Sequence, residues 1–525
     1  MEIVKDKVLL FRCGSDTAER IKQFIDKSEV VDETEDSADM VVYWGIDEVQ
    51  RLARVLPQGV KIPSPIERDY AWPGMHKPFA HQRDTARFLT LHRRAFCFNE
   101  AGTGKTSAAI WAADYLMSQG KVKRCLVICP LSIMQSAWQA DLFKTAMHRS
   151  CGIAHGSVAK RKKVIEAGYE FVVINYDGVG TVEKEIAAGG FDLIIVDEAN
   201  AYKNPSTVRW KTLARLVKAE TYLWMMTGTP AAQSPIDAFG LARLVNPNGV
   251  PKYATAWRDK VMQQVSKFKW LPKSNSRAVV FDALQPAIRY EKAQCLDLPE
   301  VTYQTRVIPL SPQANRYYNN LRKEMQIQTA GETISTVNAA AAISRLLQLS
   351  GGAVYTDDGN VVEFDIQPRM NVLKEVLEES LHKTLIFIPY RHTLTLVKNA
   401  LDAEGITNEV ISGDVSASDR ARVFNNFQTN ENPRVLLIQP QAASHGVTLT
   451  AADTVIFWSP VMSVETYLQC VARIDRVGQK NKMTVIHLQG SEVERRMYTM
   501  LQNKVDMHEK LVDLFIDELE GENDD

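Results

Sequence analysis

Residues Asn99–Thr106 read NEAGTGKT, directly after the apolar run Ala95–Phe98 and directly before the helix-compatible stretch SAAIWAADYLM. Strand, glycine-rich loop and helix in that order are the setting a phosphate-binding loop requires, so this one segment predicts an α/β fold with the loop at a helix N-terminus. Gly102 and Gly104, with Thr103 between them, let the backbone curl until successive N–H groups face one centre. Lys105 supplies a cation for the β and γ phosphates of ATP, and Thr106 a hydroxyl for magnesium. The strict eight-residue pattern has glycine where this chain has Asn99, so the match is to the GxGKT core. A GKT triplet in an arbitrary loop is common; the flanking strand and helix make this one specific.

At 525 residues the chain is too long for a single core, since domains run to roughly 100–200 residues. From about 79 to 240 helices alternate with the short apolar runs AFCF, CLVICP, FVVIN, FDLIIVDE and YLWMMTG, the pattern of parallel strands buried on both faces. The alternation resumes from about 370 with TLIFIPY, NEVIS, RVLLIQ, DTVIFW and MTVIHL, without a second phosphate loop. Between the two, helix-compatible stretches such as QANRYYNNLRKEMQ and NAAAAISRLLQL dominate, apart from VTYQTRVIPL at 301–310. The expected division is a small N-terminal α/β accessory domain at 1–70 and a first lobe at 71–300 with a helical insertion at about 240–295. A helical bridging segment at 301–365 follows, then a second lobe at 366–525 ending in a helix and an acidic tail.

Hydrophobic residues at 45% and charged residues at 24% give the balance of a globular chain. No apolar run reaches eighteen residues and the N-terminal apolar stretch is too short for a signal peptide, so the protein is expected to stay where it is made, without a membrane partner. Seven cysteines without a CxxC pair point to buried thiols and not to a zinc module or disulfide framework. A net charge of −1 advertises no polyanion partner, so any nucleic-acid surface has to be local. The basic run KRKK at 160–163 reads first as a solvated helix face.

Asp197 and Glu198 close the apolar run FDLIIVDEAN, where carboxylates emerge at the carboxyl edge of a parallel sheet beside the phosphate loop. Asp197 is expected to hold magnesium through water and Glu198 to polarise the attacking water. Acidic residues also end strands simply to cap the next helix, so the pair draws its meaning from the GKT that precedes it.

From about residue 78 to 500 the chain resembles the Snf2 group of superfamily 2 helicase-like ATPases, in the compact form found in bacteria and bacteriophages. Gln82 in AHQRDTARFL resembles the adenine-reading Q motif, CPLSIMQSAWQADL motif Ia and VINYDGV motif Ib; DEANAYKNPST resembles DEAHxxKNxxS, and MMTGTPAAQSPIDAFGLARLVNP resembles motif III. In the second lobe SHGVTLTAADTVIFW resembles motif V, and Gln469–Gln479, QCVARIDRVGQ, fits QxxxRxxRxGQ at every specified position. The resemblance implies two RecA-like lobes, and it implies that Gln82 and Gln469 serve the nucleotide. Arg473 and Arg476, three apart, are expected on one helical face reaching toward the γ-phosphate, with Arg476 as arginine finger and Arg473 assisting. Phosphate-backbone contacts are expected from Ser132, Gln135, Asn175, Tyr176, Arg391, Ser444 and Thr448. Asn200 stands where relatives carry histidine, and His445–Gly446 where they carry two glycines.

What the resemblance implies is a monomeric, Mg2+- and ATP-dependent motor that translocates on double-stranded DNA and remodels branched DNA or displaces bound proteins in repair, recombination or replication. It would act in a bacterial or phage-infected cytoplasm, or in the nucleus of a eukaryote. Two alternatives stay open: a remodeller of a DNA-bound machine such as RNA polymerase, docked through residues 1–70, and a weakly hydrolysing nucleotide-dependent regulatory binder.

Overall fold

Apolar runs of four or five residues, too short for helices and rich in Val, Ile and Phe, become the strands on which the protein is built. In the computed structural model the chain divides into two units, residues 1–295 and 296–525. The structure describes all residues except 58, 229, 231–233, 266–269, 296–297, 330–335, 357–359, 381, 443–446 and 504–525.

The first unit begins with β1 (Glu2–Val4), β2 (Val8–Gly14), β3 (Ser28–Glu33) and β4 (Ser37–Tyr43), an antiparallel sheet in the order β1-β2-β4-β3. Ala38, Met40 and Val42 alternate into the core, as a sheet with one covered face demands. The helix Ile46–Val55 buries Val49 and Leu52. Leu9, Met40 and Leu52 belong to the same apolar cluster as Ala86, Leu89 and Ile110 of the helices that follow. Buried Gln50 ties the seam, donating to Thr90 O at 2.7 Å and accepting from the Tyr222 hydroxyl at 3.0 Å.

Seven parallel strands follow within this unit: β5 (Arg94–Cys97), β6 (Cys125–Cys129), β7 (Cys151–Ala154), β8 (Phe171–Asn175), β9 (Leu193–Asp197), β10 (Tyr222–Met226) and, beyond the hairpin β11 (Met262–Gln264)/β12 (Trp270–Pro272), β13 (Ala287–Ile288). Their order is β13-β5-β10-β9-β6-β8-β7. Every residue of β6, β9 and β10 is buried, which is why these runs show no alternation in the sequence. The stretch expected to be a helical insertion does contain helices, Ala254–Val261 and Ser276–Ala283, but it also returns to the sheet through β13, which pairs with β5. Two residues are too few to show any period.

The second unit holds β14 (Val301–Val307), the hairpin β15 (Ala353–Tyr355)/β16 (Val361–Glu363), β17 (Lys383–Phe387), β18 (Asn408–Ile411), β19 (Val435–Ile438), β20 (Ala452–Phe457) and β21 (Met483–Gln489). Apart from the hairpin they form a second parallel sheet, β14-β21-β20-β17-β19-β18, so the two-lobed α/β architecture is present. β14 lies in the stretch expected to bridge the lobes, yet it is the sheet's edge, in register with β21 from Val301↔Met483 to Val307↔Gln489. Thr302–Thr305 are exposed, so its polar sequence suits an edge strand. Inside this unit Arg369 and Glu494, 4% and 0% exposed, pair at 2.6 Å. Glu494 also accepts from Gly490 N and Ser491 N, fastening the start of the helix Glu492–Gln502. Among the described residues no helix is long and apolar enough to cross a membrane.

Candidate active site

The order β5-β10-β9 brings the phosphate loop and the carboxylate pair to one edge, because Met226 of β10 lies level with both Cys97 of β5 and Asp197 of β9. Thr227 N donates to Cys97 O at 3.0 Å, and an added Cβ on Gly228 would stand 3.4 Å from Ala101 N, so the end of β10 packs directly against the loop.

The loop has the conformation its composition calls for. Gly102 and Gly104 take φ of +87° and +78°, left-handed values that favour glycine. Gly104 opens the helix Lys105–Ser118. Thr103 Oγ1 donates to Glu100 O at 2.8 Å, and the Lys105 ammonium rests on the same carbonyl at 3.2 Å. Asn99, where the strict pattern has glycine, is 1% exposed and works as a strut: its amide donates to Thr85 Oγ1 at 2.8 Å and accepts from Tyr290 N at 3.0 Å. Tyr290 O and Lys292 N bond Glu100 from beyond β13, so the segment after β13 holds the outer arm of the loop. Nothing short-range in the sequence signals that support.

Gln82 sits beneath the loop. Its amide accepts from Phe79 N at 3.0 Å and donates to Thr103 O at 3.2 Å, beside a 2.8 Å bond from His81 to the same carbonyl. An added Cβ on Gly104 would fall 2.1 Å from Gln82 Nε2, so a side chain there would push the Gln82 amide off its partners, in addition to the strain of the left-handed φ. Thr106 is half-buried in the first helical turn.

Asp197 is 6% exposed. One carboxylate oxygen accepts from the indole of Trp138 at 2.9 Å and the other from Glu198 N at 3.0 Å. Burial, and then repulsion from Glu198, push its carboxyl up to about 6, against the attraction of Lys105. An added positive charge would relieve that cost, so the donor set of Thr106 and Asp197 fits a hydrated divalent cation beside the loop. Glu198 has φ +49° and ψ +56°, a left-handed state costing a non-glycine residue about 1–2 kcal/mol. Trp138, the tryptophan of the motif Ia stretch, is buried; its bond to Asp197 was not legible from spacing.

The helix carrying Gln469 runs Val464–Val471, so Arg473 and Arg476 lie in the turns after it and not on a common helical face. The physical reason is capping: Arg473 Nε donates to Gln469 O at 2.9 Å and Arg476 Nε to Ala472 O at 2.7 Å, so the guanidinium groups satisfy carbonyls that a continuing helix would have used. Arg473 is 2% exposed and also donates to Val447 O at 3.0 Å, whereas Arg476 is half-exposed and reaches Thr448 Oγ1 at 3.4 Å. Gln469 donates to Glu465 at 3.3 Å, and buried Gln479 bridges Ala452 O and the amides of Lys480 and Asn481.

Of the expected backbone contacts, Gln135 is exposed after the turn Leu131–Ile133 that carries Ser132. Asn175 ends β8 and accepts from Arg161 at 3.4 Å. Arg391 is exposed and pairs with Asp414 at 3.1 Å, while Ser444, with His445 and Gly446, lies outside the described residues. Tyr176 turns inward: its hydroxyl donates to Asp197 O at 2.6 Å and to Glu198 O at 3.2 Å. In the DEANAYKNPST stretch Asn200 stands in a 3-10 turn, Lys203 pairs with Asp237 at 3.0 Å, and Asn204 accepts from Ser206 N at 2.9 Å.

A family model described as the SNF2-related domain matches residues 81–351, and one for the helicase conserved C-terminal domain matches 368–478. The chain is 25% identical over 435 residues to Chromodomain-helicase-DNA-binding protein 1-like of Mus musculus, covering 79% of this chain and 47% of that protein. It is 24% identical over 442 residues to a SWI/SNF-related matrix-associated actin-dependent regulator of chromatin subfamily A-like protein 1 of Xenopus tropicalis, covering 81% of this chain and 44% of that one. With protein p41 of Acyrthosiphon pisum secondary endosymbiont phage 1 it shares 24% identity over 435 residues, 78% of this chain and 92% of the phage protein. The chain thus spans less than half the length of the first two relatives.

Proposed function

Because the chain belongs to the family built on the SNF2-related domain, we propose that it is an ATP-hydrolysing motor that moves on double-stranded DNA and remodels branched DNA or displaces bound proteins. The observation that supports this most directly is the level register of β5, β10 and β9, which sets a glycine-shaped phosphate loop beside a buried carboxylate pair. In this reading the loop amides and Lys105 bind the β and γ phosphates, and Glu198 orients the attacking water and accepts its proton. Magnesium, held by Thr106 and through water by Asp197, would supply charge neutralisation at the phosphates. Arg476 contributes a second cation to the γ-phosphate, and Arg473 holds the turn that carries it. Gln82 acts on the nucleotide by bracing Thr103 and Gly104. Gln135, Asn175, Arg391 and Thr448 contact the DNA backbone, and the protein works as a monomer.

The test is ATP turnover with duplex, forked and single-stranded DNA and with RNA, using Lys105→Ala as control. Stimulation by duplex or forked DNA that disappears in the control is expected; turnover indifferent to every DNA overturns the motor reading. A second reading, docking of a DNA-bound protein through the N-terminal sheet, is favoured by charge: residues 1–55 carry thirteen carboxylates against eight cations, a poor surface for a polyanion. It expects Glu29→Lys/Asp32→Lys to leave DNA-stimulated turnover unchanged while reducing displacement of a bound protein.

A further inference from the structure

β8 and β9 are not neighbours; β6 lies between them, yet Tyr176, the first residue after β8, reaches across to the end of β9. Its single hydroxyl proton is shared between the carbonyl oxygens of consecutive residues, Asp197 at 2.6 Å and Glu198 at 3.2 Å. Consecutive carbonyls of an extended strand point to opposite sides. The left-handed turn at Glu198, φ +49°, rotates the second carbonyl to the side of the first, where one donor serves both. Glu198 O also accepts from Ala201 N at 3.2 Å, which starts the turn Ala199–Tyr202.

The ring of Tyr176 is held from two directions. Tyr202 meets it edge-on, with centroids 5.8 Å apart at 80°, and the Arg209 guanidinium lies 5.1 Å over its ring while pairing with Asp177 at 2.7 Å. The hydroxyl is therefore aimed by packing and does not search for its acceptors.

We propose that Tyr176 is a positioning residue for ATP hydrolysis: its hydroxyl locks the main chain of Asp197 and Glu198 in the conformation that presents the Glu198 carboxylate to the attacking water. The proposal rests on the hydrolysis reading above. It moves Tyr176 from the surface that meets DNA to the machinery behind the catalytic carboxylate.

A matched control is present in the same ring pair. The Tyr202 hydroxyl is buried and, among the described residues, has no hydrogen-bond partner. Tyr176→Phe and Tyr202→Phe each delete one oxygen from this pair, but only the first deletes hydrogen bonds. In the full chain, steady-state ATP hydrolysis with and without duplex DNA is expected to show kcat lowered about tenfold or more by Tyr176→Phe. KM for ATP and the affinity for a fluorescent ATP analogue, which also report a folded site, stay within about twofold. Tyr202→Phe is expected to keep kcat near the wild-type value. Equal losses in the two variants, or a Tyr176→Phe kcat within twofold of wild type, overturn the proposal. Wild-type turnover no higher than that of Glu198→Gln instead overturns the hydrolysis reading, and this proposal with it.

Discussion

Substituting Gly104 by alanine tests the phosphate loop and its brace together. The new Cβ meets two separable penalties. The first is conformational: at φ +78° an L side chain costs about 1–2 kcal/mol. The second is steric, since the Cβ lies 2.1 Å from Gln82 Nε2 and must displace that amide from Thr103 O and Phe79 N. Two such bonds are worth about 2 kcal/mol. The free loop can relax away from the strained shape, so the cost is read in nucleotide affinity: about 3 kcal/mol, on the order of a hundredfold in Kd. Gln82→Ala alone forfeits the same two bonds, about 2 kcal/mol. In the double variant the clash is absent and those bonds are lost only once, so its cost falls short of the sum of the singles by about 2 kcal/mol. Displacement of a fluorescent ATP analogue gives the four affinities, with thermal unfolding as a check on folding. Additivity within about 0.5 kcal/mol refutes the brace; wild-type affinity in Gly104→Ala refutes the loop geometry as well.

Two further outcomes follow from buried charge. Asp197 has its carboxyl raised toward about 6, so it gains a proton as pH falls through that value; kcat/KM for ATP is expected to drop about tenfold per unit below it. The same sign makes this group's contribution to the stability of the nucleotide-free fold larger, not smaller, between pH 6 and the ordinary carboxylate range, because the folded state binds the extra proton there. A profile flat down to pH 5 contradicts the assignment. In the second unit Glu494→Ala strands the Arg369 guanidinium with 4% exposure, and breaking such a pair costs about 3–5 kcal/mol. Arg369→Met/Glu494→Leu should recover much of that in urea unfolding; equal losses in the single and double variants exclude a stranded charge as the cause.

Where the chemistry is local, the residue string is sufficient. The strand, glycine loop and helix around Lys105 and the carboxylates ending β9 were legible because phosphate binding needs particular residue types at fixed spacing, and strands buried on both faces announce themselves as unbroken apolar runs. The shortest strand is not legible: β13 has two residues, too few to show a period, while the alternation in VTYQTRVIPL marks β14 as a strand but not its place at the edge of the second sheet. The helical face expected for Arg473 and Arg476 failed for a related reason. A spacing of three is as compatible with a turn as with a helix, and carbonyl capping by the arginines themselves decided between them.

Residue order alone is enough to place a nucleotide loop in a two-lobed α/β fold of the SNF2-related kind. What surrounds that loop came from the fold: Gln82 on Thr103 O, Asn99 strutted by Tyr290, Trp138 on Asp197, and Tyr176 turned away from the expected DNA side to the backbone of Asp197 and Glu198. These contacts join residues between about 20 and 190 positions apart through single hydrogen bonds. A hydrogen bond depends on where the fold aims a donor and imposes no repeat along the chain, so no reading of residue order alone could have found it.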